Sequence, residues 1–308
     1  MSDTLNYEGR VAIVTGSGGG LGRAHALLLA SRGAKVVIND LGGDMQGRGT
    51  SGSNSPADKV VEEIKAAGGE AVANYDSVTD GDKIVQTAMD TYGKIDILIN
   101  NAGILRDTSF HKMTEDDWDQ VYNVHVKGAF KVTHAAWPHL REQQYGRLVF
   151  TASSSGVYGN FGQANYAMAK LGLFGLAQTL AQEGGKYNIK CNTIAPFAGS
   201  RMTETILEKK MVKALNPAFV SPLVAYLCHE DCPATGNLFE LGGGWYSQVR
   251  WERSEGITLP LTEGISLEQI VENWGKITDF SSNTEHPIVA LAGFQKVEPN
   301  LATLPDED

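Results

Sequence analysis

Residues 163–172 read QANYAMAKLG, which places a phenol, Tyr166, one helical turn before an ammonium, Lys170. Side chains four apart on a helix share a face and can touch. Ser153 ends the apolar run GRLVFTA, thirteen residues before Tyr166. A free tyrosine has a pKa of about 10, too high for a good base at neutral pH. An ammonium one turn on favours the phenolate. Tyr166 could then take the proton of an alcohol while Ser153 hydrogen-bonds the oxygen as it becomes a carbonyl. The plain alternative is a surface pair, with the lysine stem lying along the ring. The choice depends on what the rest of the chain brings to these three residues.

Short apolar runs alternate with helical patterns over the first 240 residues or so. Strands are expected at 11–15, 35–39, 70–74, 95–100, 146–152, 190–195 and 237–241. Helices are expected at 21–31, 57–67, 80–92, 116–138 (with an interruption), 165–184 and 221–228. Strands apolar throughout suit a parallel sheet covered on both faces. The pattern predicts an α/β fold: a single Rossmann-type doubly wound parallel sheet of about seven strands. Residues 1–248 form that domain, and 249–308 are read as a C-terminal extension packed on it, with a candidate helix at 266–274. The stretch 154–163, between Ser153 and the helix of Tyr166, reads as a loop.

Directly after the first strand comes Thr15-Gly16-Ser17-Gly18-Gly19-Gly20-Leu21-Gly22. Such a turn lets backbone amides and a helix N-terminus face a pyrophosphate. Gly16 permits the turn, Gly20 with Leu21 the close approach, and Gly22 tight helix–strand packing. Asp40 ends the second strand, where a carboxylate can accept from adenosine ribose hydroxyls and repel a 2′-phosphate. No Lys or Arg lies inside the turn to offset that repulsion, so NAD is favoured over NADP. Asp76 and Ser77 follow the third strand, and Asn100-Asn101-Ala102-Gly103 closes the fourth. Of these, Asp76, Ser77, Asn100, Ala102 and Gly103 join the candidate cofactor contacts. Each separately could be ordinary turn chemistry. All of them fall at carboxyl ends of strands, where ligands of open α/β sheets bind.

TGxxxGxG, NNAG and Ser-x12-Tyr-x3-Lys, in this order and on these elements, resemble the short-chain dehydrogenase/reductase superfamily across roughly residues 8–245. The stretches VVINDLGGD, NNAGILRD, GVYGNFGQANY and IAPFAGSRMTET are similar to its branch that oxidises (3R)-hydroxyacyl-CoA esters in peroxisomal β-oxidation. The resemblance implies an NAD-dependent, homodimeric enzyme with Ser153, Tyr166 and Lys170 as catalytic residues. It adds Tyr166, Lys170, Pro196 and Thr203 to the dinucleotide contacts, and it implies a peroxisomal setting. Many members carry a fourth residue, an asparagine that fixes a helix kink. His125 occupies its place here, either with the same part or as a packed structural histidine. An acyl-CoA would need an apolar groove, for which Val157, Phe161, Phe197 and Met202 are candidates. Its phosphates would need cations, for which Arg106, Arg250 and Arg253 are candidates, each alternatively a surface ion pair. A hydroxysteroid or other secondary alcohol would use the same chemistry. A non-catalytic dinucleotide-binding scaffold would have no need of the three catalytic side chains.

Composition narrows the classes further. The chain has 308 residues, 42% of them hydrophobic, enough for one large domain with an ample core. A net charge of −10 argues against a general nucleic-acid or membrane-surface binder. Three cysteines, Cys191, Cys228 and Cys232, suit a reducing compartment. Cys228-His229-Glu230-Asp231-Cys232 lacks a second ligand pair, so no metal is expected. The N-terminal MSDTLNYEGR has no apolar signal core, no run reaches membrane-spanning length, and the final LPDED is not an SKL-type tripeptide.

Overall fold

A computed structural model describes residues 5–44, 46–49, 55–198, 209–261, 264–281 and 283–301. The chain divides into two compact units, residues 1–248 and 249–308. In the first, the strands are β1 (Val11–Thr15), β2 (Lys35–Asn39), β3 (Glu70–Asn74), β4 (Ile97–Asn100), β5 (Gly146–Thr151), β6 (Ile189–Pro196), β7 (Leu238–Gly242) and β8 (Trp245–Val249). They form one sheet in the order β3-β2-β1-β4-β5-β6-β7-β8. Neighbouring strands from β3 to β7 pair in parallel. The order reverses between β1 and β4, which opens a crevice above their carboxyl ends.

Parallel strands need crossovers, and helices supply them: α1 (Gly20–Ser31), α2 (Pro56–Ala66), α3 (Gly81–Tyr92), α4 (Glu115–Tyr122), α5 (Gly128–Glu142), α6 (Ser154–Tyr158), α7 (Ala164–Gly184), α8 (Lys209–Ala214) and α9 (Ser221–Cys228). The central strands therefore have two buried faces. Ala12 and Val14 of β1 enter the core shared with Leu29 and Val224. Val11 and Ile13 enter the opposite core, with Ile84 and Leu140.

Two expectations for this unit need correction. The sheet has eight strands rather than about seven. The eighth follows β7 after Gly243 and Gly244, both at positive φ (58° and 86°), the backbone that two-residue hairpins demand. Trp245 and Tyr246 on β8 are half exposed, so its pattern lacks the apolar run of a central strand. The interruption expected within 116–138 is a π turn at Asn123–Lys127 between α4 and α5. The expected loop at 154–163 contains α6, one short helix capped by Ser153. In the second unit the candidate helix splits at Asn273 into α10 (Leu267–Glu272) and α11 (Trp274–Ile277), and α12 (Glu298–Leu301) follows. An antiparallel bridge joins Arg253 to Glu285 there.

Asp96 locks the sheet centre at the end opposite the crevice. Its buried carboxylate accepts from the Val11 amide at 2.9 Å, and it pairs with Arg10 and Lys94, each at 3.0 Å. Asp96→Ala would leave the Val11 amide without its acceptor, remove the carboxylate paired with Lys94 and leave Arg10 with Glu230. A loss of about 2–4 kcal/mol is expected in denaturant unfolding, with unchanged m-value.

Candidate active site

The crevice holds the glycine turn at one end. Gly16 takes φ +62°, and a Cβ there would come within 2.8 Å of the Ala102 backbone. Gly22 is packed against the Gly16 carbonyl and the Asn101 amide. At Gly19 and Gly20, by contrast, an added Cβ would meet nothing. The turn is thus tight against the protein below and open above, a cradle that fits a pyrophosphate. Asp40 stands beside it, with Oδ2 accepting from the Gly18 amide and Oδ1 from the Gly42 amide, both at 2.8 Å. Each oxygen retains a lone pair for a ribose hydroxyl.

The other cofactor candidates divide. Ala102 lies against Gly16, and its amide donates to Thr15 Oγ1 at 3.1 Å. Asn100 turns its amide inward to Thr133 Oγ1 at 3.0 Å. Ser77 uses its hydroxyl to cap the turn Val78–Asp80, accepting from Thr79 N–H. Asp76 accepts from Asn74 Nδ2 at 2.8 Å. Asn100 and Ser77 therefore carry structural hydrogen bonds with their side chains. Pro196 ends β6; Met202 and Thr203 lie outside the described residues.

At the chemical end, Ser153 lies two residues past the end of β5 and caps α6, its Oγ accepting from Ser155 N–H at 3.2 Å. Tyr166 and Lys170 occupy the first turns of α7. Gly156 on α6 lets the helices touch, since a Cβ there would lie 2.9 Å from Lys170 Cβ. Lys170 is buried, with Nζ donating to the Thr151 carbonyl at 2.5 Å and lying 5.4 Å from the Tyr166 ring centre. A surface pair is excluded by that burial.

The electrostatics add burial to the expectation that the ammonium favours the phenolate. Burial raises the Tyr166 pKa above its ordinary value, the Ser153 hydroxyl lowers it by hydrogen bonding, and the Asp107 carboxylate raises it. Burial pushes Lys170 down to about 7. The lysine is therefore itself poised between charged and neutral near physiological pH, and the phenol needs further positive potential to become a base.

His125 sits on the π turn, its ring edge-on to Tyr166 with centroids 5.3 Å apart. Its Nε2 lies 3.0 Å from the Ile104 amide and 2.8 Å from the Ile104 carbonyl, while Nδ1 is buried without a partner among the described residues. Burial, and next the charge of Lys170, hold its pKa well below the ordinary histidine value. A neutral imidazole that ties the π turn to the loop after β4 fits this geometry; π turns inside helices recur at functional sites.

On the substrate side, Val157 is partly buried, Phe161 is 91% exposed, and Phe197 stacks obliquely with Trp245 at 6.5 Å. Two phosphate candidates are already engaged. Arg106 donates to the Gln46 carbonyl and faces Asp116 and Asp117. Arg253 pairs with Glu285 at 2.6 Å. Arg250 is exposed. Several supporting residues escape sequence reasoning. Asn101 clamps the glycine turn by donating to the Thr15 and Gly16 carbonyls, and Asn165, fully buried, accepts from the Tyr166 amide. The Asn-Asn and Asn-Tyr dipeptides were the only signals, and they do not say which way an amide points.

With this geometry in view, a family profile described as short chain dehydrogenase matches residues 10–211. The chain is 57% identical over 283 residues to peroxisomal multifunctional enzyme type 2 of Mus musculus, covering 92% of this chain and 38% of that protein. It is 57% identical over 286 residues to peroxisomal multifunctional enzyme A of Dictyostelium discoideum, covering 93% and 64%. The solved full-length peroxisomal multifunctional enzyme type 2 from Drosophila melanogaster superposes with TM-score 0.81 at 43% identity, over 97% of this chain and 50% of that one. The chain thus spans less than two thirds of the length of these curated relatives.

Lys170 yields a pH prediction. Its folded pKa, about 7, lies below the ordinary 10.5, so between those values the unfolded chain binds more protons and stability rises with pH. Lys170→Met, in chain stripped of dinucleotide, is expected to flatten that rise and to stabilise the fold at pH 6 by roughly a few kcal/mol. Thermal melts from pH 6 to 10 check it; an unchanged slope contradicts the assignment.

Proposed function

Since the chain belongs to the short-chain dehydrogenase family, we propose that it oxidises (3R)-3-hydroxyacyl-CoA to 3-ketoacyl-CoA with NAD as acceptor, as a step of peroxisomal fatty-acid β-oxidation. The observation that carries the reading is Tyr166, partly buried, between Ser153 and the poised Lys170, at the strand ends that also bear the open glycine turn and Asp40. NAD, held along the turn with its ribose on Asp40, supplies the hydride acceptor and a positive ring. Tyr166 takes the proton of the substrate hydroxyl. Ser153 donates to the same oxygen as it becomes a carbonyl. Lys170, with Nζ anchored on Thr151, places its charge near the phenol, and its remaining donors would be available to hold the nicotinamide ribose. Together with the positive ring, that charge offsets the rise that burial imposes on Tyr166. His125 holds the π turn in shape and moves no proton.

Asp40 supports NAD over NADP, because a 2′-phosphate would meet its carboxylate. Val157 and Phe197 are the described residues that best fit an acyl groove. The names of the relatives support the peroxisomal setting. Residues 249–308 are read as part of the dehydrogenase, because the match leaves fewer residues uncovered than the extension contains. A homodimer is expected, and the part-exposed Phe130, Met168 and Leu171 offer apolar surface for it.

Reduction of NAD and NADP with (3R)- and (3S)-hydroxyacyl-CoA esters and a hydroxysteroid tests the proposal. Turnover is expected with the 3R esters and NAD, and Asp40→Ala narrows the preference for NAD over NADP. Activity confined to 3S esters or to the steroid would overturn it.

A further inference from the structure

The segment between β4 and α4 makes contacts in two directions. On one side Arg106, its side chain only 13% exposed, donates from Nε to the Gln46 carbonyl at 2.8 Å. Gln46 lies on the loop after Asp40, and the next residue, Gly47, sits where a Cβ would be 3.2 Å from Ile104 side-chain carbons. On the other side the Arg106 carbonyl accepts from Asn165 Nδ2 at 3.2 Å. The same amide donates to the Asp117 carbonyl at 2.9 Å, while Asn165 Oδ1 accepts from the Tyr166 amide at 2.8 Å. Flanking bonds reinforce the seam: Gln163 Nε2 to Asp107 at 2.7 Å, and the Thr108 amide to the Gly162 carbonyl at 2.8 Å.

Each of these bonds has a reason to be specific. The amide of Tyr166 is one of the donors that a helix start leaves without an intrahelical partner, and Gln163 at the N-cap makes no side-chain capping bond. Asn165 Oδ1 fills that need from inside the first turn. Because Asn165 is fully buried, its two N–H donors require acceptors, and the carbonyls of Arg106 and Asp117 provide them. Arg106 is held through both its backbone and its side chain, whose planar fork reaches a carbonyl and the paired carboxylates of Asp116 and Asp117 together. A lysine presents a single charged centre and cannot span both.

We propose that Arg106 and Asn165 are positioning residues that couple the adenosine-side loop to the placement of Tyr166. A ligand seated beside Asp40 restrains that loop, and the restraint passes through the Gln46–Arg106–Asn165 bonds to the first turn of α7. The coupling rests on reading Asp40 as the adenosine anchor, and it removes Arg106 from the cations free to bind CoA phosphates. By linkage it runs both ways, so loosening Asn165 must weaken binding at the adenosine end.

Hydrogen exchange at the Tyr166 amide, with and without ADP-ribose, tests this; the probe carries the adenosine end and no nicotinamide. ADP-ribose is expected to slow exchange in the wild-type chain by about tenfold. The slowing should vanish in Arg106→Leu and also in Arg106→Lys, the variant that keeps the charge if the leucine fails to fold. Asn165→Asp keeps the acceptor for Tyr166 but loses both donors, and is expected to weaken ADP-ribose binding by a similar factor. Equal slowing in wild type and Arg106→Lys overturns the proposal, as does ADP-ribose binding to wild type without any slowing. An Arg106→Lys enzyme that differs only by a raised KM for acyl-CoA would likewise overturn it, returning Arg106 to the phosphates. Exchange needs no turnover, so failure to oxidise a (3R)-hydroxyacyl-CoA would sink the proposed reaction and leave this inference standing.

Discussion

A lysine side chain buried against one backbone carbonyl is the constraint around which the site is arranged. Lys170 donates to the Thr151 carbonyl and is pushed to a pKa of about 7 by burial. Burying an ammionium is unfavourable unless nearby groups favour its charge. That condition accounts for the neighbours. Thr151 is the last residue of β5, so the strand end itself receives the ammonium. Gly156 keeps α6 close enough to cover it. His125 beside it is kept neutral, so no second cation competes. Tyr166 is the group that gains, because a poised positive charge one turn away favours its phenolate whenever the lysine is protonated.

The glycine turn serves the same end from the other side of the crevice. Its upper face is open and its lower face is closed by Ala102 and Asn101. A dinucleotide on this turn would extend along the strand ends from Asp40 toward Lys170, because β2, β1, β4 and β5 are adjacent in that order. Sheet topology therefore sets the reach between the two ends, and the clamps made by Asn101 and Asn165 set their local geometry.

Much of this was legible in the residues alone. Ser153, Tyr166 and Lys170 could be read because their spacing has a chemical reason, and the parallel sheet because its strands are apolar on both faces. β8 was missed because an edge hairpin carries aromatic and polar residues. The π turn at Asn123–Lys127 was anticipated only as an interruption, since one inserted residue leaves little trace in helical periodicity. Arg106 stayed open between a phosphate contact and an ion pair because a sequence shows a cation without showing Gln46 and Asp117 around it. The same limit hid Asn165, whose value lies in three partners from three segments. The expectation that Lys170 favours the Tyr166 phenolate left out desolvation, which is the largest influence on both groups.

The central claim is that the Tyr166 hydroxyl moves the proton while the surrounding groups bind and orient. Tyr166→Phe removes that one oxygen and leaves the ring in place. The most direct measurement pairs its turnover number with its NADH dissociation constant. The account predicts a fall in kcat of about 10²–10⁴-fold or more, with NADH affinity within about twofold of wild type. A variant that turns over like the wild type, or that loses NADH binding together with activity, would contradict it.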